Sequence, residues 1–575
     1  MRRFACLAAL ASGPVFAACG QSAPPPATTP APAPAPVARG ATAAGIMEAD
    51  LRLRLGIVAH DSMLGREAGE PGNVKGTDYI AAELARLGLE PAGDDGTFFQ
   101  AVPLVRTGPR TDGFLRAAGR ELRLGDDYVY LGELGDLPVA RAAEFQGVPA
   151  VYGGRVGDTV SVIPASQAAG KVVVLGAPMG PGGKPIFRFD GRAIQRFQGA
   201  RVVAFAVLDL APAELREFLT APQAMLADEE EEPKASSGPL VMFVTADAAS
   251  ALLGRPIASA LPGSAGTSVD ARLGIARTPV ATPARNVVAI ARGSDPALRN
   301  TYVAIGAHND HVGLSKQPLD HDSLRAFNRV MRPQGAENQP GEPTAAEAAR
   351  IRAILDTLRR TRQARRDSVY NGADDDGSGT VAVLEAAEAF ARAAAKPKRS
   401  VLFVWHTAEE LGLLGATWFT DHPTVPRDSI VAQLNIDMIG RGGPGDLQSG
   451  GPGYLQLIGS RRLSRQLGDL VEAVNREGGY GFTFDYQYDA VGHPQQFYCR
   501  SDHYAYARYG IPITFFSTGS HTDYHQLTDE VEYIDFGKLE AVTRLIHGIA
   551  ARLADSPTRP ALDGPKPDPE APCQQ

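Results

Sequence analysis

From Arg285 onwards, short apolar segments alternate with helical ones, and this alternation restricts the fold more than any other feature of the chain. The apolar segments are NVVAIARG, YVAIGAH, SVLFVWH, IVAQLNIDMIG and IPITFFST, and the helix-forming segment GTVAVLEAAEAFARAAA lies between the second and the third. Strands that alternate with helices are typical of parallel sheets covered on both faces. We therefore predict an α/β fold with a mostly parallel central sheet, helices on both faces and an inserted small β-rich domain.

The chain has 575 residues, which is too long for one ordinary core and predicts several domains. Between about Pro138 and Pro262, short β-type runs alternate with Gly and Pro turns, and no long helix is apparent. We predict the following division: a signal peptide (1–18), a Pro/Ala-rich tether (19–44), the N-terminal part of the main domain (45–137), a β-rich insert (138–262), the α/β domain (285–555) and a Pro-rich tail (556–575).

The N-terminus has the shape of an export signal. Two arginines precede a short apolar run, and small residues then lead to Cys19. Ala-Ala-Cys resembles a bacterial lipobox, which predicts a lipid on Cys19 and a periplasmic or outer-membrane lipoprotein. Ordinary cleavage after Ala17 or Ala18, which would give a secreted protein, is the alternative.

The net charge of −8 argues against nucleic acid or an anionic membrane surface as the main partner. We therefore expect membrane contact only through the N-terminal lipid. Once the signal peptide and Cys19 are set aside, two cysteines remain, Cys499 and Cys573. They can pair in an oxidising compartment or stay as free thiols, and the sequence leaves both alternatives open.

A set of acidic and imidazole side chains lies where an α/β sheet places function. Three of them stand at or just past the ends of apolar segments, one precedes the long helix, and one follows the last segment. The candidate ligands are His308, Asp375, Glu410, Asp437 and His525. Nitrogen and oxygen ligands in this mixture suit Zn²⁺, and one carboxylate shared between two zinc ions, with a carboxylate base such as Glu409 beside them, is an arrangement that activates water.

Several of these positions have alternative interpretations. Asp310 lies two residues after His308, so it can accept the N–H of the second ring nitrogen. It would then orient His308 without binding the metal itself. The run Asp374–Asp376 can bind a cation or cap the following helix. Asp437 lies in an apolar segment, where an unpaired carboxylate is costly. His521 competes with His525 on composition alone.

A long polar insertion, residues 314–370, separates His308 from Asp375. It contains a helix-forming segment that is basic at its C-terminal end. Long insertions beside a site are often lids, and an exposed surface loop is the alternative.

Six blocks of this sequence, taken together and in order, resemble the M28 family of zinc peptidases: GAHNDHVG, NGADDDGSG, TAEELGLLGA, NIDMIGR, SDHYAYARYGIP and HTDYHQLTDE. The resemblance implies two zinc ions, one bound by His308 and Asp437, the other by Glu410 and His525, and both bridged by Asp375. It also implies that Glu409 is the general base and that Tyr524 stabilises the oxyanion. The β-rich insert resembles the protease-associated domain of such enzymes.

This resemblance predicts a metallo-exopeptidase that acts on peptide substrates, most often an aminopeptidase in that family. Three alternatives remain: a carboxypeptidase, a single-zinc glutaminyl cyclotransferase on the same fold, and a non-catalytic binding protein. Neither the residue removed nor the oligomeric state follows from the sequence.

Overall fold

The structure is a computed structural model that describes residues 42–131, 137–212, 215–216, 219, 221–227, 238–333, 335, 340–447 and 449–575. The predicted signal peptide, Cys19 and all but the last three residues of the predicted tether lie outside the described residues. Among the described helices, none combines the length and the apolar character that crossing a membrane would require.

The described chain contains 21 strands, which fall into three sheets. In chain order they are β1 (Glu90–Pro91), β2 (Phe99–Val102), β3 (Leu104–Pro109), β4 (Phe114–Ala117), β5 (Arg120–Leu122), β6 (Tyr128–Leu131), β7 (Ala142–Arg155), β8 (Val172–Gly176), β9 (Val202–Ala206), β10 (Gln223–Leu226), β11 (Leu240–Val244), β12 (Ala265–Pro279), β13 (Ala284–Ala291), β14 (Tyr302–His308), β15 (Leu314–Asp320), β16 (Arg366–Val369), β17 (Ser400–His406), β18 (Ile430–Ile436), β19 (Tyr454–Ile458), β20 (Thr483–Asp485) and β21 (Ile513–Ser517).

The α-helices are placed between these strands. Those with bounds among the described residues are α1 (Glu48–Val58), α2 (Pro71–Leu87), α3 (Ala165–Ala168), α4 (Gly191–Arg196), α5 (Ala246–Leu253), α6 (His321–Met331), α7 (Ala345–Thr361), α8 (Gly379–Arg392), α9 (Leu414–Asp421), α10 (Arg465–Glu477), α11 (His503–Ala507) and α12 (Phe536–Asp555).

The larger of two compact units comprises residues 42–104 and Val280–Gln575 and is built on a nine-stranded sheet. Its main strand order is β1-β13-β17-β14-β18-β21-β19-β20, and β2 also pairs with β13. The four central strands β17, β14, β18 and β21 are parallel, whereas β13 and β19 each run antiparallel to their inner neighbour. The α/β fold is confirmed, and the sheet is parallel at its centre and mixed towards its edges.

Each central strand is buried on both faces, which explains why its sequence is continuously apolar. In β17, Val401 and Phe403 pack into a core with helices α1, α8 and α12, while Leu402 and Val404 pack into a second core with helices α9 and α11 on the opposite face. This alternation follows from the two-residue period of a strand. Helices on both faces are therefore observed, as predicted.

Helix α8 is buried along most of its length, and its two buried glutamates need partners. Arg54 of α1, only 1% exposed, pairs with both Glu385 and Glu388. These ion pairs join the first helix of the unit to the helix that begins beside Asp375.

The second compact unit comprises Val105–Pro279 and has its own ten-stranded sheet. Its main strand order is β10-β3-β12-β7-β8-β9-β11-β6, with β4 joining β12 to β5. Strands β7, β8, β9 and β11 run parallel, helices α3 and α4 lie between them in the chain, and α5 follows β11. The unit is longer than the predicted insert of residues 138–262 because β3 and β4 pair with β12.

The C-terminal segment, predicted as a Pro-rich tail, is joined to the larger unit. Cys573 forms a disulfide bond with Cys499, across 74 residues of sequence. The side chain of Gln575, 7% exposed, donates to the carbonyl oxygens of Tyr488 and Ala490 and accepts from the Tyr498 N–H. The alternative that the sequence left open is thus settled in favour of pairing.

Candidate metal centre

The five predicted ligands meet at one edge of the central sheet. Parallel strands bring their carboxyl ends to the same edge, and in open α/β sheets ligand sites form there. His308 is the last residue of β14, and Asp437 directly follows β18. The loops after β17 and β21 carry Glu410 and His525, and Asp375 precedes α8. Strand ends far apart in sequence therefore assemble one cluster.

His308 forms one half of the cluster. Its Nε2 lies 3.2 Å from Asp375 Oδ1 and 3.6 Å from Asp437 Oδ1. Its other ring nitrogen, Nδ1, lies 3.1 Å from the carbonyl oxygen of Asp310 and 3.8 Å from that residue's carboxylate. An Nδ1–H that donates to this carbonyl leaves Nε2 with a lone pair facing the two carboxylates, which is the tautomer a metal ligand needs.

His525 forms the other half. Its Nε2 lies 3.1 Å from Asp375 Oδ2 and 2.9 Å from Glu410 Oε2. His311, which the sequence reasoning did not single out, joins this half with Nδ1 2.7 Å from Glu410 Oε1 and 3.7 Å from Asp375 Oδ2. The signal for it was its place in the block that contains His308, three residues further on.

Asp375 lies between the two halves and turns one carboxylate oxygen to each histidine. Its neighbours are used differently. Asp374 Oδ1 accepts the Gly440 N–H at 2.6 Å, and Asp376 Oδ1 accepts the Gly379 N–H at 2.8 Å, at the first residue of α8. The middle carboxylate of the acidic run is therefore the one aimed at both histidines, while its neighbours fix the surrounding backbone.

Gly379 leaves space for the carboxylate of Asp376. A Cβ built on it would lie 2.4 Å from both carboxylate oxygens of Asp376. This explains the glycine three residues after the acidic run, at the start of a helix that glycine otherwise disfavours.

The electrostatics of the cluster favour a cation. Burial alone would lower the pKa of His308, yet the nearby carboxylates of Glu409 and Asp437 raise it well above its ordinary value. Burial would likewise raise the pKa of Asp375, and the imidazoles of His308 and His525 beside it hold that pKa well below its usual range instead. The negative charge of the pocket therefore stabilises whatever positive charge it contains.

The donor atoms also fit a metal. His308 Nε2 and Asp375 Oδ2 are buried without a hydrogen-bond partner among the described residues, and buried polar atoms without partners are rare. Donor atoms within 4.8 Å of one another form two groups. One group consists of His308, Asp376 and Asp437, and the other of His311, Asp375 and Glu410. Asp376 was not among the predicted ligands. Nitrogen and oxygen donors in this mixture suit zinc.

Glu409 lies beside the cluster. Burial raises the pKa of its carboxyl group well above the ordinary value, and His308 opposes that rise. Its backbone N–H donates to Asp310 Oδ1 at 3.1 Å, so the carboxylate of Asp310 supports the turn that carries Glu409 and Glu410. A bound cation nearby would favour the ionised form of Glu409, which can accept a proton.

Tyr524 precedes His525, and their ring centroids are 4.0 Å apart. Burial raises the pKa of Tyr524 well above its ordinary value, so its hydroxyl keeps its proton. A protonated phenol beside the cluster is a hydrogen-bond donor for a developing negative charge.

Three residues beside or within the cluster have a left-handed backbone that non-glycine residues seldom adopt. Ala408 precedes Glu409 with φ 56°, Met438 follows Asp437 with φ 62°, and His525 itself has φ 55°. Such conformations cost energy and persist where packing enforces them, as at functional sites. They lie in the loops that follow β17, β18 and β21.

Residues outside the cluster form hydrogen bonds to its side chains and to the surrounding backbone. The sequence did not single them out. Ser501 Oγ donates to Asp437 Oδ2 at 2.7 Å. Asp529 Oδ2 accepts the backbone N–H groups of Asp374 and Asp375 at 3.0 and 3.1 Å. Arg66, 1% exposed, donates to the backbone carbonyls of Val58, Asn309, Asn371 and Gly372.

Parts of the chain are similar to known proteins. A model of peptidase family M28 matches residues 286–550. Leupeptin-inactivating enzyme 1 of Streptomyces exfoliatus is 33% identical over 150 residues, which are 26% of this chain and 30% of that protein. Leucine aminopeptidase 1 of Aspergillus fumigatus is 30% identical over 198 residues, which are 32% of this chain and 47% of that protein. The chain thus spans less than half the length of either relative.

Among solved structures, an aminopeptidase from Aneurinibacillus sp. strain AM-1 aligns over 91% of this chain and 97% of its own, with 15% identity and a TM-score of 0.45. A zinc aminopeptidase from Bacillus subtilis covers 89% of this chain and 96% of its own, with 16% identity and a TM-score of 0.45.

The matched stretch contains all five predicted ligands together with Glu409 and Tyr524. Residues 286–550, which carry the site, are thus the part of this chain that matches peptidase family M28.

Proposed function

We propose that this chain is an aminopeptidase that binds two zinc ions and removes N-terminal residues from peptides. The observation that carries the proposal is the position of Asp375, whose two carboxylate oxygens face His308 and His525 at 3.2 and 3.1 Å. One carboxylate placed between two sets of nitrogen and oxygen donors is suited to bridging two cations. His308 and Asp437 would hold one ion, and Glu410 and His525 the other.

When bound, the two zinc ions would activate a water molecule and polarise the scissile carbonyl. Residues of the chain would then transfer protons and stabilise the developing negative charge. Glu409 would accept a proton from the attacking water and deliver it to the leaving amine. Tyr524 would donate its hydroxyl to the oxygen on which negative charge develops.

His311 has a supporting part in this proposal. Its Nδ1 lies within hydrogen-bond distance of Glu410 Oε1, so it can fix the orientation of that carboxylate. Its Nε2 is buried without a hydrogen-bond partner among the described residues.

We further propose that the protein is exported and anchored by a lipid on Cys19. The arginines, apolar run and Ala-Ala-Cys sequence at the N-terminus support this, as does the Pro/Ala-rich stretch that follows. The disulfide bond between Cys499 and Cys573 agrees with an oxidising compartment. Mass spectrometry of the mature N-terminus distinguishes a lipidated cysteine from a free N-terminus.

The activity is tested with a panel of unmodified, N-acetylated and C-amidated peptides, and release of free amino acids is measured with and without a chelator. We expect loss of the N-terminal residue that acetylation blocks and the chelator abolishes. Release blocked only by C-amidation would indicate a carboxypeptidase. Ammonia release from peptides with N-terminal Gln would indicate a cyclotransferase, and binding without any release would indicate a non-catalytic protein.

A further inference from the structure

The insertion of residues 314–370 is packed against the loop that carries Tyr524 and His525, here called the terminal loop (residues 518–530). Strands β15 and β16 of the insertion pair with each other, and between them lie helices α6 and α7. The face of α6 that is buried consists largely of polar residues. They are His321, Asp322, Arg325, Ala326 and Asn328, each at most 4% exposed.

Arg325 is the member of this face that reaches the terminal loop. Its Nη1 donates to Asp523 Oδ2, and its guanidinium carbon lies 3.3 Å from the centroid of the Tyr533 ring. A buried arginine in an ion pair that also stacks on an aromatic ring is held in one orientation. The insertion thus supplies a fixed cation to a carboxylate that is completely buried.

Asp523 is bound from three sides. Besides Arg325, Arg441 Nη2 lies 3.1 Å from Oδ2, and Thr528 Oγ1 donates to Oδ1 at 2.7 Å. Arg441 is shared with the carboxylate of Asp446. Among the described ion pairs, Arg325 therefore binds Asp523 and no other carboxylate.

The contacts of Asp523 matter for the metal centre because of where Asp523 lies in the terminal loop. It directly precedes Tyr524 and lies two residues before His525, which has φ 55°. Its own N–H donates to His521 Nδ1 at 3.2 Å, and His521 Nε2 lies 3.2 Å from Asp374 Oδ2. A shift of Asp523 would move the backbone from which the proposed oxyanion donor and the proposed zinc ligand project.

Other contacts keep the insertion itself in place. The Tyr370 N–H donates to Gly313 O at 3.0 Å and closes the base of the insertion. Arg362, just after α7, pairs with Glu532 at 2.9 Å, and Arg365 pairs with Glu530 at 3.4 Å. These contacts favour a fixed support over a lid that opens and closes.

We propose that Arg325 is a positioning residue through which the insertion holds Tyr524 and His525 in their places at the metal centre. This inference rests on the proposed function, because it assigns His525 to one of the two zinc ions. It gives the insertion a part in the site that neither a lid nor an exposed surface loop would have.

The test compares Arg325→Lys and Arg325→Met with the matched control Arg329→Met. Arg329 lies one turn further along α6 and is exposed. Zinc affinity is measured on the metal-free full-length protein by competition with a chromogenic chelator, and no substrate is present. We expect Arg325→Met to bind one of two zinc ions roughly 10-fold more weakly, as loss of a residue that orients a ligand typically does, and Arg325→Lys to show a smaller loss. The Arg329 variant should match the wild type.

Two further readouts separate positioning from mere stability. Hydrogen exchange of peptides from the terminal loop should become faster in the Arg325 variants, while peptides from α12 keep their protection. With peptide substrates, kcat should fall with little change in KM, and Arg325→Lys should recover part of the loss because it keeps the charge.

Unchanged zinc affinity and unchanged exchange in the terminal loop would overturn the inference, and so would a lowered melting temperature as the sole effect. Faster exchange together with weaker zinc binding, in a protein that cleaves no peptide, would support the inference and refute the aminopeptidase proposal. If the wild type binds no zinc, the metal centre is refuted, and exchange in the terminal loop still decides whether Arg325 positions that loop.

Discussion

The hydroxyl of Ser501 donates a hydrogen bond of 2.7 Å to Oδ2 of Asp437, whose other oxygen, Oδ1, lies 3.6 Å from His308 Nε2. Asn435 Nδ2 in turn donates to Ser501 Oγ at 3.0 Å. The carboxylate that would bind the first zinc ion is therefore oriented by a residue from a distant part of the chain.

Replacing Ser501 by Ala should weaken metal binding and activity by about 10-fold, because partners of this kind orient a ligand carboxylate. Zinc affinity and kcat/KM measure the effect. Ser460→Ala is the control, since Ser460 is 1% exposed and its hydroxyl has no hydrogen-bond partner among the described residues. Equal behaviour of the two variants would count against a role for Ser501.

Replacing Asp375 by Asn should affect both zinc ions, whereas replacing Asp437 by Asn should affect one. Asp375 faces both histidines, while Asp437 lies near His308 alone of the two. Metal analysis of dialysed protein should find less than one zinc ion per chain in the first variant and about one in the second. Retention of two ions after Asp375→Asn would contradict the bridging role.

Replacing Glu409 by Gln should abolish proton transfer and leave the metal in place. General acid–base catalysis typically contributes roughly 10²- to 10⁴-fold to a rate, so we expect kcat to fall by about that factor. Zinc content should stay at the wild-type level, because Glu409 is outside the proposed ligand set. A variant that loses both zinc and activity would show that Glu409 is a ligand.

Replacing Cys499 and Cys573 by Ser should lower the free energy of unfolding by about 2–4 kcal/mol. The disulfide closes a loop of 74 residues, and such cross-links restrict the unfolded chain. Urea denaturation measures the change. The wild type in reductant should unfold like the double variant, and reductant should have no effect on the variant itself.

Glu385 should make stability depend on pH. Burial raises the pKa of its carboxyl group to about 7, although the ion pair with Arg54 opposes the rise. The folded state therefore binds this proton more tightly than the unfolded state does, so the free energy of unfolding decreases as pH rises from the ordinary carboxyl range to about 7.

Urea denaturation of wild type and Glu385→Gln across this range isolates the effect of Glu385. The stability of the wild type should decline relative to the variant as pH rises. Glu477→Gln is the control: Glu477 is exposed, and its hydrogen bond with Arg552 lowers the pKa of its carboxyl group. If the stability of the wild type declined equally relative to Glu385→Gln and to Glu477→Gln, the assignment to Glu385 would be contradicted.

The parts of the structure that depend on local sequence were predictable. Strands buried on both faces are continuously apolar, and ligands follow their carboxyl ends, so the segments ending at His308 and Ile436 already located two candidate ligands. The choice of His525 over His521 needed the family pattern. In the structure, His525 faces Asp375 and Glu410, while His521 lies near Asp374.

The parts that depend on packing between distant segments were not predictable. The contact of His311 with Glu410 depends on the conformation of the loop that carries His311. Ser501 binds Asp437, and Arg325 binds Asp523, although the partners are far apart in sequence. The antiparallel edges of the sheet and the pairing of Cys499 with Cys573 likewise depend on how segments meet in three dimensions.

The assembly of the site from the ends of parallel strands also has a consequence for biosynthesis. His308 leaves the ribosome long before His525, and the two are brought together only when β21 pairs with β18 at the sheet's parallel centre. A nascent chain that ends before β21 would lack His525, one of the proposed ligands. Tight uptake of both metal ions would therefore report that the last central strand has been added, and metal loading would coincide with completion of the fold.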